Sequence, residues 1–268
     1  MKVSEMKKAL LQKSQYDFDD LVEIVKILRS PEGCPWDREQ DHKSIRNGLI
    51  EETYEVIEAI DTENPALLRE ELGDVLLQIV FHAGIEEDAG RFDIDNVSND
   101  ICVKLIHRHP HVFGDVSVEN TEQVLSNWEQ IKSEEKERVT VTDKLRSIPP
   151  MLPALMRATK VGKKADMFDF ETTELVMDKL AEEMVEVSEA VESGAQCDIE
   201  EEIGDLLLTV TSLCRKLDVD AEAALNKATE KFINRFERIE NIVLAENKNI
   251  KSMSMQELDE IWDKIKHN

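Results

Sequence analysis

The chain has little of what builds sheets, loops or cross-linked cores. Glycine (9) and proline (7) are scarce in 268 residues, and aromatic residues make up 5%. That scarcity argues for a helix-rich globular chain rather than a disordered or all-β one. Cysteine occurs at Cys34, Cys102, Cys197 and Cys214, with no CxxC spacing. No dense disulfide framework follows, and a reducing compartment is expected. No stretch is apolar for long enough to span a membrane, and the opening "MKVSEMKKALLQKSQ" lacks the apolar run of a signal peptide. A cytoplasmic protein is the expectation. Basic residues are outnumbered: 33 lysines and arginines face 58 aspartates and glutamates, a formal net charge of −25. Such a field repels nucleic acid and anionic membrane. An anionic substrate would need a local reversal of sign.

What is abundant is helical periodicity. It predicts helices at 17–29, 44–61, 65–88, 96–106, 121–137, 153–164, 173–192, 198–216, 219–246 and 255–266, hence an all-α fold. The β-branched "VTVT" (139–142) reads as part of a connector. That connector runs into "SIPPMLP", where Pro149, Pro150 and Pro153 interrupt any helix. The expected organisation is an N-terminal extension (1–16), a first domain (17–139), a linker (140–152) and a second domain (153–268).

The two expected domains repeat one another. "LIEETYEVIEAI" (49–60) lies over "LAEEMVEVSEAV" (180–191), and "LREELGDVLLQIV" (68–80) over "IEEEIGDLLLTVT" (199–211). Both pairs share a single offset, the one that carries Leu49 onto Leu180. An acidic chain produces EExxE by chance. Producing it twice, each time followed by ExGD at the same gap, indicates an internal duplication.

Helical geometry then places the carboxylates. In the second copy Leu180, Met184, Val187 and Val191 form an apolar stripe, and Glu183 and Glu186 lie about 70–130° to one side of it. On the next helix the stripe is Ile199, Ile203, Leu206 and Val210, with Glu202 and Asp205 offset to the same side. A short connection containing Gly194 makes the pair antiparallel, so equal offsets bring the four carboxylates to one side of the seam. Gly204 leaves space there. Oxygen-only ligands select a hard divalent ion, Mg²⁺ with Mn²⁺ as substitute. Such an ion lets a very acidic protein hold a polyphosphate. Lys231 and Arg235, four residues apart, belong to a basic row with Lys227 and Arg238. Lys179 precedes Glu183 by four residues. The first copy keeps Glu52, Glu55, Glu71 and Asp74, together with Lys104 and Arg108 at the Lys231–Arg235 spacing. Trp128 in "WEQIK" mirrors Trp262 in "WDKIK", but Gly48 stands where the second copy has Lys179.

EExxE followed by ExGD on neighbouring helices resembles the MazG family of nucleoside triphosphate pyrophosphohydrolases. "GCPWDREQ" (33–40), "RHPHVFGD" (108–115), "LPALMRA" (152–158), "KFINRF" (231–236) and "WDKIK" (262–266) resemble its long, two-domain bacterial form. The resemblance implies tandem MazG-type helical bundles, usually assembled as intertwined homodimers. It implies Mg²⁺-dependent hydrolysis of (deoxy)nucleoside triphosphates to the monophosphate and pyrophosphate, in housecleaning of nucleotide pools. Carried over, Glu183, Glu186, Glu202 and Asp205 would be metal ligands, with Glu182 and Glu183 catalytic. Glu182, Lys179, Lys231 and Arg235 would face the phosphates or the attacking water, and Trp262 would stack on the base. An aromatic face accepts every base, so broad base specificity follows. The family pattern leads one to expect a basic residue near Asp198, which is absent. The C-terminal copy is expected to carry catalysis. The N-terminal set, Glu52, Glu55, Glu71 and Asp74, is expected to be a weak or inactive metal site.

The residues alone admit other readings. A ferritin-like di-metal oxidoreductase needs ExxH from two helices, and this chain has ExxH only at Glu39–His42. "HRHPHVF" (107–113) reads as a structural turn at Pro110. A non-catalytic acidic helical interaction or regulatory protein would carry the same stripes as solvated faces. Within the family, hydrolysis of alarmones or damaged nucleotides stays open.

Overall fold

The computed structural model describes residues 3–135, 140–246 and 248–266. Among these residues the regular elements are helices, with no strand. In chain order the α-helices are α1 (Val3–Leu11), α2 (Phe18–Arg29), α3 (Pro35–Glu39), α4 (Arg46–Asp61), α5 (Pro65–Asp88), α6 (Ile94–Arg108) and α7 (Pro110–Phe113). They continue as α8 (Thr121–Glu135), α9 (Val141–Arg146), α10 (Ala154–Lys164), α11 (Thr173–Ser193), α12 (Gln196–Lys216), α13 (Ala221–Ala245) and α14 (Met255–Lys266). The ten expected helices are all present, with ends moved by at most two residues. The expected last residues of the 121–137 helix lie outside the described residues. No described helix is long and apolar enough to cross a membrane.

The expected connector is corrected. The segment read as a β-branched connector contains α9, because Thr140 and Asp143 form a reciprocal capping box. Satisfying both backbone donors outweighs the strand preference of valine and threonine.

The chain divides into two compact units, Met1–Ile131 and Lys132–Asn268. In the first, α4 and α5 form a hairpin and α2 packs on α5. Val25, Ile45, Val80, Phe81, Ala83 and Ile94 make its buried core. The Arg29 guanidinium pins the 30–40 loop to α5. It donates to Asp88 at 2.9 Å and to the backbone carbonyls of Asp37 (2.9 Å) and Gln40 (3.3 Å), and it lies 5.2 Å from the Phe81 ring centroid. His42 meets His82 (Nδ1 to Nδ1, 2.8 Å) and Glu86, and Arg91 donates to both carboxylate oxygens of Glu86.

In the second unit α11 and α12 form the matching hairpin, and α10 packs on α12 and α13. Arg215 lies against Gly162 of α10 so closely that a Cβ there would fall 1.3 Å from its Nη1. From that position it donates to Asp169 at 2.6 Å. The first unit inverts this arrangement. There the arginine (Arg29) comes from the outer helix α2. The glycine beneath it, Gly84, is on the hairpin and occupies the position that the duplication pairs with Arg215. Ile239, Val243 and Ile265 join α13 to α14, with Trp262 at the edge of that cluster.

Candidate metal centre

The two hairpins close by tight left-handed turns. In the second unit Gly194 (φ 72°) follows α11, and in the first Glu63 (φ 51°) lies between α4 and α5. Each turn sends its second helix back along the first, which sets ExGD beside EExxE.

The buried face of α11 is not the apolar stripe that spacing suggests. Met184 and Val191 are exposed, whereas Val176, Glu183 and Ala190, seven residues apart, are buried. Of the stripe on α12, Ile203 and Val210 stay exposed and Ile199 and Leu206 are half-buried. The seam therefore runs through Glu183 itself, which is 4% exposed. Glu183, Glu186 and Glu202 each bring a carboxylate oxygen within 4.8 Å of the others, as Glu52, Glu55 and Glu71 do in the first unit. Asp205 and Asp74 stand outside these groups, Asp205 being exposed. A Cβ built on Gly204 or Gly73 would meet nothing within 4 Å, so both sites are open at that point.

The two groups differ in how they balance their charge. In the second unit the Lys179 ammonium lies 2.7 Å from Glu182, 3.0 Å from Glu183 and 3.9 Å from Glu186. These carboxylates hold its pKa well above the ordinary lysine value, Glu182 most and Glu183 next. One oxygen of Glu183, Oε2, is buried with no hydrogen-bond partner. Burial, then the charges of Glu186 and Asp205, raise the Glu202 carboxyl. In the first unit no described ion pair reaches Glu52, Glu55 or Glu71. Burial raises both Glu52 and Glu71, helped in Glu52 by a hydrogen bond with Glu55 and in Glu71 by the Glu55 charge. Gly48 leaves room for Gln78, whose Nε2 lies 2.8 Å from where a Cβ would stand. The counterpart of Gln78 in the second copy is the smaller Thr209.

The remaining expected site residues form a separate constellation. Trp262 is half-buried, with its ring 5.4 Å from Phe232 and 5.7 Å from the Arg235 guanidinium. Arg108 lies over Trp128 in the same way, at 5.4 Å. Lys231 is exposed. Among the described residues, no hydrogen bond or ion pair joins Lys231, Arg235 or Trp262 to the carboxylates.

The site is therefore a buried-to-exposed ladder of glutamates, duplicated at one offset and fitted with a lysine in one copy. The model of the MazG nucleotide pyrophosphohydrolase domain matches residues 40–113 and 171–239. Its two starting points are separated by the same offset as the repeated motifs. The chain belongs to the MazG nucleotide pyrophosphohydrolase family. Its fold is all-α with two MazG segments in tandem, and it is a pyrophosphohydrolase, an enzyme acting on phosphorus anhydrides. It is 44% identical over 251 residues to the nucleoside triphosphate pyrophosphohydrolase/pyrophosphatase MazG of Thermotoga maritima, covering 93% of this chain and 95% of that protein. It is 44% identical over 253 residues to the nucleoside triphosphate pyrophosphohydrolase of Escherichia coli K12, covering 92% and 96%. It is 41% identical over 254 residues to the uncharacterized protein YabN of Bacillus subtilis, spanning 94% of this chain and 52% of that one.

The sequence places Lys179 four residues before Glu183, and the structure adds that one ammonium serves three carboxylates. The signal was present, since Glu182, Glu183 and Glu186 follow it at i+3, i+4 and i+7. Sequence reasoning missed the His42–His82–Glu86–Arg91 network, whose long-range partner His42 no local spacing reveals.

Proposed function

We propose that this MazG chain hydrolyses (deoxy)nucleoside triphosphates to the monophosphate and pyrophosphate, with Mg²⁺ at Glu183, Glu186, Glu202 and Asp205 in residues 153–268. The observation that carries this is the second glutamate group: three carboxylate oxygens within 4.8 Å, one of them from a buried side chain with an unpartnered oxygen. Oxygens around a single Mg²⁺ stand at most about 4.2 Å apart, so a shift of a few tenths of an ångström gathers them. When bound, the ion supplies Lewis-acid stabilisation of the charge that develops on the phosphates. The chain supplies the rest. Glu182, exposed and within reach of Lys179, orients the attacking water at the α-phosphorus and accepts its proton, a role a ligand carboxylate such as Glu183 can share. Lys179, Lys231 and Arg235 hold the phosphate oxygens and the departing pyrophosphate. Trp262 offers its face to any base, which favours a broad range of bases and a part in clearing nucleotide pools.

The first unit keeps the ligand trio but has Gly48 in place of Lys179, so it lacks that phosphate contact, which supports weak or absent catalysis there. A homodimer is part of the proposal. Met184, Val191, Ile203 and Leu207 on one hairpin, and Ile50, Ile57, Leu72 and Leu76 on the other, are exposed. The chain exposes 19363 Å². Two wholly separate globular domains of half its mass would expose about 14,000 Å² together, and an excess that includes these apolar side chains favours burial against a second copy. We place this assembly in the cytoplasm, acting on nucleotides rather than nucleic acid. The test is product analysis with ATP and dGTP, with Mg²⁺ and after EDTA. Monophosphate and pyrophosphate that vanish with EDTA support the proposal. Diphosphate and orthophosphate would refute the assigned bond.

A further inference from the structure

Lys179 marks the one position at which the two carboxylate groups differ in kind. Its ammonium contacts Glu183 and Glu186, two of the three gathered carboxylates, while in the first unit the position is Gly48 and no described cation pairs with Glu52, Glu55 or Glu71. We infer that Lys179 is a resident counter-cation of the second group and moves from its carboxylates to the phosphates of an arriving nucleotide, so that divalent metal and nucleotide bind there cooperatively, whereas the first group takes metal alone. The inference rests on the proposed function for the identity of the two ligands.

The physical reason is competition for the same oxygens. An ammonium 3.0 Å from a Glu183 oxygen and a dication on that carboxylate repel each other. Lys179 cannot simply leave, because the buried Glu183 would lose its only cation among the described residues. Phosphate oxygens resolve this. They offer the ammonium equivalent partners at the end of a flexible stem, and they free Glu183 for the metal when that metal has phosphates to bridge. Because linkage is reciprocal, metal must raise nucleotide affinity by the same factor as nucleotide raises metal affinity. The exchange moves no covalent bond and needs no proton transfer.

The experiment titrates Mn²⁺ by electron paramagnetic resonance in the full chain carrying Glu52→Ala and Glu55→Ala, so that only the second group is read. The probe nucleotide is α,β-methylene ATP, which resists cleavage between the α- and β-phosphates. Lys179→Met should tighten Mn²⁺ binding without nucleotide by about 5–150-fold, the usual span of coupling between two ligands, and should shrink the further gain on adding the analogue by the same factor. Lys179→Arg should restore weak binding. A grafted lysine gives a second arm that leaves Lys179 in place. In an otherwise wild-type first unit with Glu183→Ala and Glu186→Ala in the second, Gly48→Lys with Gln78→Thr should weaken Mn²⁺ binding without nucleotide. Unchanged or weaker binding in Lys179→Met, or an unaffected graft, overturns the inference. Turnover of ATP by the wild-type chain is scored separately. Monophosphate and pyrophosphate with no change in Mn²⁺ affinity sink the inference alone. Tightened Mn²⁺ binding in a chain that cleaves no nucleotide sinks the functional proposal but upholds Lys179 as counter-cation.

Discussion

Replacing Glu183 by glutamine removes one charge from a crowded carboxylate trio while keeping the volume of a buried side chain. The structure gives the direction of the stability change without metal. Glu183 Oε2 is buried and has no partner, and an unsatisfied buried polar atom costs about 1–3 kcal/mol. The amide of glutamine is a donor, and Glu186 and Glu202 bring acceptor oxygens within 4.8 Å of it. The substitution also relieves repulsion from both neighbours. Against this, Lys179 loses its contact at 3.0 Å but keeps Glu182 at 2.7 Å. Glu183→Gln should therefore stabilise the chain in EDTA by about 1–3 kcal/mol, a melting rise of at least about 2 °C. It should also remove most of the extra stability that Mg²⁺ gives the wild type. Calorimetry in EDTA and in Mg²⁺ reads both effects. A variant that melts below the wild type in EDTA would show that the carboxylate is held for its own stability and not in readiness for a cation.

Other predictions follow from single contacts. Gly162→Ala must drive the Arg215 guanidinium from its place, where it donates to Asp169 at 2.6 Å, and should cost about 2–3 kcal/mol by urea denaturation. Glu63 holds a left-handed turn that suits glycine, so Glu63→Gly should be neutral to stabilising by up to about 1 kcal/mol, while Gly194→Ala should cost about 1 kcal/mol. The first unit should weaken on acidification in two stages. Burial holds the His82 pKa below its ordinary 6.5, so its contribution falls once pH drops below that value. Arg91 and His42 hold the Glu86 carboxyl at about 2 against an ordinary 4.5, so its contribution is whole above 4.5 and is lost as pH falls toward 2. Denaturation curves from pH 8 to 3 should show Glu86→Gln flattening the lower stage and leaving the upper one.

The long helices were legible because most carry a 3.6-residue period and several have a start signal, such as Asp17, Asn64 or Thr172. The short α1, α3, α7 and α9 were not, because so few turns hold too few residues to show a period. The glutamate groups were legible through duplication, which turned a common acidic pattern into a specific one. The seam was misread for a physical reason. Periodicity assigns burial by apolarity, and here a ligand glutamate occupies the buried position while Met184 and Val191 face outward. A single chain leaves those residues bare, and sequence does not say which apolar stripe a helix keeps for itself. The exchange of arginine and glycine between Arg29–Gly84 and Gly162–Arg215 was also invisible, since each partner is meaningful only across helices.

The most direct test of where the chemistry resides compares the wild type, Glu183→Ala and Glu52→Ala on ATP and dGTP with Mg²⁺, with monophosphate and pyrophosphate measured as products. The account predicts that Glu183→Ala loses turnover and Glu52→Ala retains most of it. Full activity in Glu183→Ala, or equal loss in both variants, would contradict it.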